Sequence, residues 1–203
     1  MMSLLHKTNM PSETRNKMLY AALHLFDCKG FKQTSILEVV ERARVSKTTF
    51  YQYFQSKEEL LASLYRRLAD EMMEDVKRVV ESEERMGYKA YVGVRRYMEI
   101  CVTRSAVAKL LLVESVGVSQ AVERARREAH RSFAELIYQT VQAGAQASLP
   151  DGEAKVVALA MVGAINEVVI QKLSSSDEKD DLDRLARLLN RIVVASFVNC
   201  AMA

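Results

Sequence analysis

The sequence has few of the residues that interrupt helices. Its 203 residues include only 7 glycines and 2 prolines, and it has no tryptophan. Ala, Leu, Val, Glu and Arg are plentiful instead. Because glycine and proline disfavour helix interiors most strongly, this composition predicts an all-α protein, with about nine helices in the pattern described below.

Cysteines and long apolar runs are also scarce. The three cysteines, at positions 28, 101 and 200, form no Cys-x-x-Cys or Cys/His spacing, which argues against a disulfide framework and a zinc site. The N-terminus lacks the apolar stretch of a signal peptide, and no run of about eighteen apolar residues follows. We therefore expect reduced thiols, a cytoplasmic, nucleoid-associated location and no membrane partner.

The patterns of catalytic sites are missing as well. The sequence shows no nucleophile–base pairing, carboxylate pair or glycine-rich phosphate loop, and its three histidines lie far apart. We therefore expect no enzymatic activity, no metal and no cofactor.

The positive charge is confined to the first third of the chain. The net charge is only +3, but the residues up to Asp70 contain eleven basic and seven acidic side chains. The remainder is slightly negative. This distribution favours a polyanionic partner for the N-terminal part.

Apolar periodicity and capping residues predict a helix-turn-helix there. A first helix is expected from about Glu13 to Lys29, behind a Ser12 cap and ending at Gly30. Capping boxes are then predicted at Ser35/Glu38 and at Ser56/Glu59, with a Ser46 cap between them. Two short helices joined by a tight turn, over 35–54, are typical of DNA-binding motifs.

The linked segments AALHLF, GF, TS, RVSKTTFYQYF and SKEELL, between Thr14 and Leu61, resemble the DNA-binding domain of the TetR family of tetracycline-repressor-like regulators. The resemblance implies a DNA-binding domain over 12–72 and a ligand-binding and dimerisation domain over 73–203. The family usually has glycine where this chain has Arg44, and often glycine where Thr48 stands. We expect Arg44 either to strain the turn or to add a phosphate contact.

The chemistry of a recognition helix identifies the expected DNA contacts. Small and polar side chains at its N-terminus read base edges, while hydroxyls and cations near helix starts bind phosphates. Lys47, Thr48 and Thr49 are the expected base readers, and Tyr53 and Lys57 the expected phosphate anchors. Further candidates are Ser46, Tyr51 and Arg44 and, by analogy with the family, Thr34 and Ser35.

The last two helices are the expected dimer interface. The segment VVALAMVGAINEVVIQKL is apolar almost all round, so it should be buried on more than one side. Pro150, Asp151 and Gly152 predict a turn before it, while the preceding helix should reach about Ala147. Two such helices from each subunit would form a four-helix bundle. The alternative is that these apolar faces only complete the core of a monomer.

By family analogy, the C-terminal helices should surround a ligand pocket. Asn166 stands out because an amide in an apolar run needs a partner, either the ligand or a backbone carbonyl. Taken singly, each candidate fits a core position better than a ligand contact. The predicted lining is Tyr91, Val94, Met98, Cys101, Glu114, Phe133, Ile137, Tyr138, Met161, Ile165 and Asn166.

The expected function is that of a repressor released from a palindromic operator by a small hydrophobic effector, drug-like or fatty acyl. The alternative is a nucleoid-bound scaffold protein of the same fold without a ligand. The run ERARREAHR should be a solvated helix face held by i, i+4 pairs such as Glu123 with Arg127, or else the mouth for a phosphate-bearing ligand.

Overall fold

The structure, a computed structural model, describes residues 4–5, 9–143, 149–174 and 182–200. Within these ranges the chain is helical, with nine α-helices, one π-helical turn and no β-strand, which confirms the all-α prediction. The helices are α1 (Thr14–Gln33), α2 (Ile36–Ala43), α3 (Lys47–Tyr53), α4 (Lys57–Ser82), α5 (Met86–Thr103), α6 (Ser105–Lys109), α7 (Gln120–Gln142), α8 (Asp151–Ser174) and α9 (Leu182–Cys200), and the π-helical turn spans Leu110–Glu114.

The chain divides into two compact units, and the first is built from two separate stretches. Unit 1 comprises 1–71 and 106–127, and unit 2 comprises 72–105 and 128–203. The boundary at residue 71 is close to the predicted one at residue 72. However, 106–127 belongs to unit 1, whereas the sequence analysis placed it in the C-terminal domain.

The start of α1 differs from the prediction, but the next two caps match it. Glu13, not Ser12, is the N-cap, and its side chain makes no capping bond. Gly30 adopts a φ of +80°, yet the helical stretch resumes after it and reaches Gln33. The Ser35/Glu38 capping box is complete, and the Ser46 side chain accepts a bond from the Thr49 amide.

The predicted capping box before α4 is only half formed. The Ser56 hydroxyl accepts a bond from the Glu59 amide at 3.2 Å. The Glu59 carboxylate, however, accepts from the Gln55 amide at 2.6 Å instead of from Ser56. The acceptor side chain of the box therefore binds the amide one residue before the predicted one.

Aromatic rings and leucines fill the core of unit 1. Phe26, Phe50 and Phe54 are almost completely buried, as are Leu60 and Leu64 of α4. The Phe50 and Phe54 rings lie 5.6 Å apart between centroids. Burial of a side chain of this size stabilises a fold by about 1.5–3 kcal/mol, so these residues anchor α3 and α4 in the core of unit 1.

The stretch 106–127 joins unit 1 through its own apolar residues. Leu110 and Leu111 in the π-helical turn are buried, as is Val122 in α7. Ser119 caps α7, because its hydroxyl accepts from the Val122 amide at 3.3 Å. Glu123 accepts bonds from the Gly117 amide and the Arg126 guanidinium, so the expected i, i+4 pairing with Arg127 is replaced by an i, i+3 pair.

In unit 2, α8 begins earlier than predicted and is buried on one face. The Asp151–Gly152 turn prediction is wrong, because both residues lie in the first turn of α8, where Asp151 favours the positive end of the helix dipole. The buried face is Ala154, Ala158, Val162, Ile165, Asn166 and Val169. The predicted extension of α7 to Ala147 ends at residues outside the described ranges, so it is not settled beyond residue 143.

Among the described helices, α8 also has the length and apolar composition of a candidate membrane span, contrary to the expectation from the sequence. The buried core helices of globular proteins pass the same test. The α8 face opposite the buried one is exposed, with Val156 at 68% and Leu159 at 47%. The expected burial on more than one side is therefore absent within a single chain.

Candidate DNA-binding surface and ligand cavity

The turn between α2 and α3 contains a left-handed residue. Arg44 has φ 54° and ψ 49°, and among the described residues it is the one non-glycine with positive φ. Its amide caps α2 by donating to the Glu41 and Val40 carbonyls. A left-handed conformation costs a residue with a Cβ roughly 1–2 kcal/mol. The strain expected at this position is therefore present, and the Arg44 side chain is exposed.

One face of α3 presents polar side chains to solvent. Lys47, Thr48, Tyr51 and Gln52 are exposed at i, i+1, i+4 and i+5, so they lie on the same side of the helix. Gln52 was missed in the sequence analysis, although it follows Thr48 by one helical turn. Its amide offers the donor–acceptor pair that fits an adenine edge in a major groove.

The other predicted residues of α3 are less available for base contact. The Thr49 hydroxyl is half-buried and bonded to the Ser46 hydroxyl at 2.8 Å, so both serve the helix cap. Tyr53 is 45% exposed at the end of α3, beside the buried Phe54. Its hydroxyl therefore suits a phosphate contact at the edge of the surface better than a base contact.

Lys57 has partners that the sequence did not predict. Its ammonium donates to the Phe31 carbonyl at 2.8 Å and the Thr34 carbonyl at 2.7 Å, with a longer contact of 3.4 Å to the Lys32 carbonyl. It also lies 4.3 Å from the centroid of the Phe31 ring. An ammonium has three donors, and these contacts occupy them. Lys57 therefore ties the end of α1 to the start of α4, contrary to its predicted role as a phosphate anchor.

Thr34 is also placed differently from the prediction. It is only 1% exposed, and its hydroxyl donates to the Gly30 carbonyl at 2.9 Å. Its side chain closes the bend between α1 and α2 and cannot reach a phosphate. Ser35, the adjoining capping residue, remains exposed at the start of α2.

An ion pair joins α1 to the same capping box. The Lys29 ammonium binds the Glu38 carboxylate, which also accepts from the Ser35 amide at 2.9 Å. The pKa of Glu38 is lowered to about 2, first by the bond from Lys29 and then by those from Ser35. The negative form of Glu38 is therefore stabilised where the positive end of the α2 dipole lies.

Unit 2 contains a small apolar cavity between its helices. Its volume is about 60 Å³, well below the roughly 300–1,000 Å³ typical of pockets for drug-sized ligands. No charged side chain lines it. The lining residues are Val76, Val80, Ala90, Gly93, Val94, Tyr97, Phe133, Leu136, Ile137, Thr140, Val162, Ile165, Asn166 and Val193.

A chain of polar groups reaches this cavity. The Tyr97 hydroxyl donates to the Asn166 side-chain carbonyl at 2.6 Å, and the Asn166 amide nitrogen lies 3.4 Å from Nε2 of His130. Asn166 is 9% exposed. The partner expected for this asparagine thus exists, but it is a pair of side chains from α5 and α7 and not a backbone carbonyl. Tyr97 was missed because it falls outside the predicted stripe of α5.

Five of the predicted pocket residues line the cavity: Val94, Phe133, Ile137, Ile165 and Asn166. Met98 and Cys101 do not line it: both are buried, and burial raises the pKa of the Cys101 thiol to about 12. Glu114 does not line it either, since it is exposed at the end of the π-helical turn, in unit 1.

The remaining three predictions face other neighbours. The Tyr91 hydroxyl binds Asp183 of α9. The Tyr138 hydroxyl donates to Asp151 at 2.8 Å, and the Met161 sulfur lies 3.7 Å from the Ser196 hydroxyl. All three side chains are only half-buried, so helical periodicity placed them on the apolar faces without identifying which residues border the cavity.

The helices α8 and α9 share an apolar character on their exposed faces. On α8, Ala160, Gly163 and Ala164 are exposed, and a Cβ added at Gly163 meets nothing within 4 Å. On α9, Leu188 is 48% and Ile192 44% exposed. Small residues on one helix and larger apolar residues on the other would let two copies approach closely.

The N-terminal sequence matches known DNA-binding regulators. Residues 18–64 match the family model described as "Bacterial regulatory proteins, tetR family". YdgC, an uncharacterized HTH-type transcriptional regulator of Bacillus subtilis, is 40% identical over 52 residues, covering 26% of this chain and 27% of YdgC. The transcriptional activator FasR of Mycolicibacterium smegmatis is 33% identical over 70 residues, covering 34% of this chain and 32% of FasR. The aligned segments thus span about a third or less of these relatives.

The fold as a whole is similar to solved structures. The fatty acid degradation regulator FadR of Bacillus halodurans matches with a TM-score of 0.73 and 17% identity, covering 88% of this chain and 97% of that one. FadR of Bacillus subtilis, solved in complex with stearoyl-CoA, matches with a TM-score of 0.74 and 17% identity, covering 89% of this chain and 98% of that one.

Proposed function

We propose that this chain, which belongs to the TetR family of bacterial regulatory proteins, is a homodimeric repressor released from a palindromic operator by a small hydrophobic ligand. The family match confirms the resemblance seen in the sequence. The observation that carries the proposal is the exposed polar face of α3, fixed by buried rings within a domain that matches known regulators.

In this proposal α3 enters the major groove. Lys47, Thr48 and Gln52 read base edges, while Tyr51, Tyr53 and the exposed Arg44 contact the flanking backbone. Ser35, exposed at the start of α2, is a further candidate for a phosphate contact, for which its hydroxyl would have to exchange its bond to Glu38. Lys57 has a positioning role, because its ammonium is engaged with carbonyls of the same unit.

The modest charge excess of the N-terminal part favours binding through two copies. The exposed apolar faces of α8 and α9 would pair with those of a second chain in a four-helix bundle. In such a dimer, two recognition helices would contact half-sites about one helical turn apart, roughly 34–36 Å. The same pairing would cover the apolar surface that gives α8 the composition of a membrane span.

The cavity in unit 2 is the proposed effector site. Its lining is apolar apart from three residues, which suits a hydrophobic ligand. The likeness to FadR, whose structure contains stearoyl-CoA, supports a ligand of the fatty acyl class. A long chain would require the helices around the 60 Å³ cavity to move apart, and this movement would link binding to DNA release.

Selection of duplexes from a random pool tests the DNA-binding part of the proposal. We expect the full chain to enrich a palindrome, and Gln52→Ala to relax the preference at one position of each half-site. Tyr53→Phe is the control, because loss of a phosphate contact should weaken all duplexes about equally. The absence of any enriched duplex at low ionic strength would refute the proposal.

The oligomeric state tests the interface separately. We expect a dimer in sedimentation velocity and a monomer after Ile192→Glu, which places a charge in the apolar face. Arg191→Glu, on the neighbouring exposed position, is the matched control. A wild-type chain that sediments as a monomer at micromolar concentration would exclude this interface.

A further inference from the structure

The cavity of unit 2 offers its occupant one hydrogen-bond donor and no charge. Three lining residues are polar, Tyr97, Thr140 and Asn166, and together they carry four polar hydrogens. The Tyr97 hydrogen goes to Asn166, and the Thr140 hydroxyl donates to the Leu136 carbonyl at 2.6 Å. Two hydrogens remain, both on the Asn166 amide.

The orientation of Asn166 follows from its two neighbours. Because the Tyr97 hydroxyl donates to the asparagine oxygen, the amide nitrogen faces Nε2 of His130. An Nε2 without a proton accepts one of the two amide hydrogens. Within the described part of the chain, no second acceptor lies within hydrogen-bond distance of this nitrogen, although Asn166 is nine-tenths buried. A buried donor of this kind stabilises a complex when an acceptor reaches it.

The lack of charge in the lining limits which acceptor fits. A carboxylate that enters an apolar cavity loses its hydration, which strongly disfavours its binding unless a cation meets it. The lining contains no Lys or Arg. A neutral carbonyl needs only the single donor that Asn166 provides.

We infer that the cavity selects compact, neutral, apolar molecules bearing one carbonyl, such as a ketone, ester or thioester, and rejects the corresponding carboxylic acids. Asn166 is the specificity-determining residue, and Tyr97 and His130 fix its orientation. This inference rests on the proposed effector function of the cavity. It narrows the expected fatty acyl class to forms in which the acyl group is esterified.

Calorimetric titration of the full chain without DNA tests this selectivity. The probes are 2-heptanone, hexanoate at pH 8 and toluene, which compare a neutral carbonyl, an anion with the same number of heavy atoms and an apolar molecule without an acceptor. We expect 2-heptanone to bind at least tenfold more tightly than hexanoate. Equal affinity for the two would overturn the inference.

Variants of the polar chain test the assignment to Asn166. Asn166→Leu should lower the ratio of 2-heptanone to toluene affinity by about tenfold, because the donor is lost while apolar contact is retained. Thr140→Val is the matched control and should leave this ratio within threefold of wild type, since it removes a hydroxyl that already donates to the Leu136 carbonyl. An unchanged ratio in Asn166→Leu would refute the assignment.

The outcome is separable from the DNA-binding proposal. If none of the three probes binds up to its solubility limit, the inference is wrong, while the duplex selection still reports on DNA binding. If the probes bind as expected but no duplex is enriched, the cavity selectivity stands and the regulator proposal fails.

Discussion

Replacement of Lys57 by methionine would remove an ammonium that ties α4 to the end of α1. The methionine keeps an apolar stem against Phe31 but leaves the Phe31 and Thr34 carbonyls without their donor. Hydrogen bonds from a charged donor contribute about 1.5–3 kcal/mol each. Because Lys57 is half-buried and water can replace part of this loss, we expect a total destabilisation of about 2 kcal/mol.

The assay combines thermal unfolding with the salt dependence of operator binding. A loss of about 2 kcal/mol should lower the Tm by about 4–8 °C for a chain of this size. The slope of log affinity against log salt should stay unchanged, since Lys57 neutralises no phosphate in this arrangement. Lys47→Met is the control: Lys47 is exposed on α3, so it should reduce the slope and leave the Tm in place.

The opposite pattern for Lys57 would refute the positioning role. A phosphate anchor would lower the slope by about 0.9 per half-site, with little change in Tm. Such a result would support the prediction from the sequence that Lys57 is a phosphate anchor.

Three further predictions concern the same domain and the buried thiol. Arg44→Gly should stabilise the chain by up to about 1 kcal/mol in urea unfolding, because glycine tolerates the positive φ. The same change should weaken operator binding, because it removes the side chain proposed to contact phosphate. An unchanged or reduced stability would contradict the strain. The pKa of Glu38 is about 2 in the folded chain, below its ordinary value of 4.5, so its contribution to stability is present above pH 4.5 and is lost as the pH falls towards 2. Urea midpoints between pH 5 and pH 2 should therefore fall less steeply in Glu38→Gln, and parallel curves would count against the Lys29 interaction. At pH 8, iodoacetamide should label the exposed Cys28 but not Cys101, whose pKa burial raises to about 12; early modification of Cys101 in mass mapping would show that unit 2 opens readily.

Local chemistry accounts for what the sequence predicted well. The capping boxes and the Ser46 cap depend on residues three positions apart, so their partners are readable from the sequence alone. The left-handed turn at Arg44 was suggested by the glycine common in the family. Composition and periodicity were sufficient for the all-α class.

Contacts between distant segments account for the errors. Thr34 and Lys57 have the residue types of phosphate ligands, but carbonyls at the end of α1 engage both. The position of the cavity depends on how α5, α7 and α8 approach one another. Tyr97 therefore lines the cavity, whereas Met98, one position away, is buried in the packed core. No spacing within a single helix carries this information.

The discontinuous make-up of unit 1 has a consequence for protein engineering. A fragment that stops at the end of α4 would omit 106–127, and with it Leu111 and Val122, which complete the apolar interior of that unit. A chimaera that joins this DNA-binding unit to another ligand-binding domain therefore has to include both segments, 1–71 and 106–127. A single junction near residue 72 would yield a protein prone to aggregation.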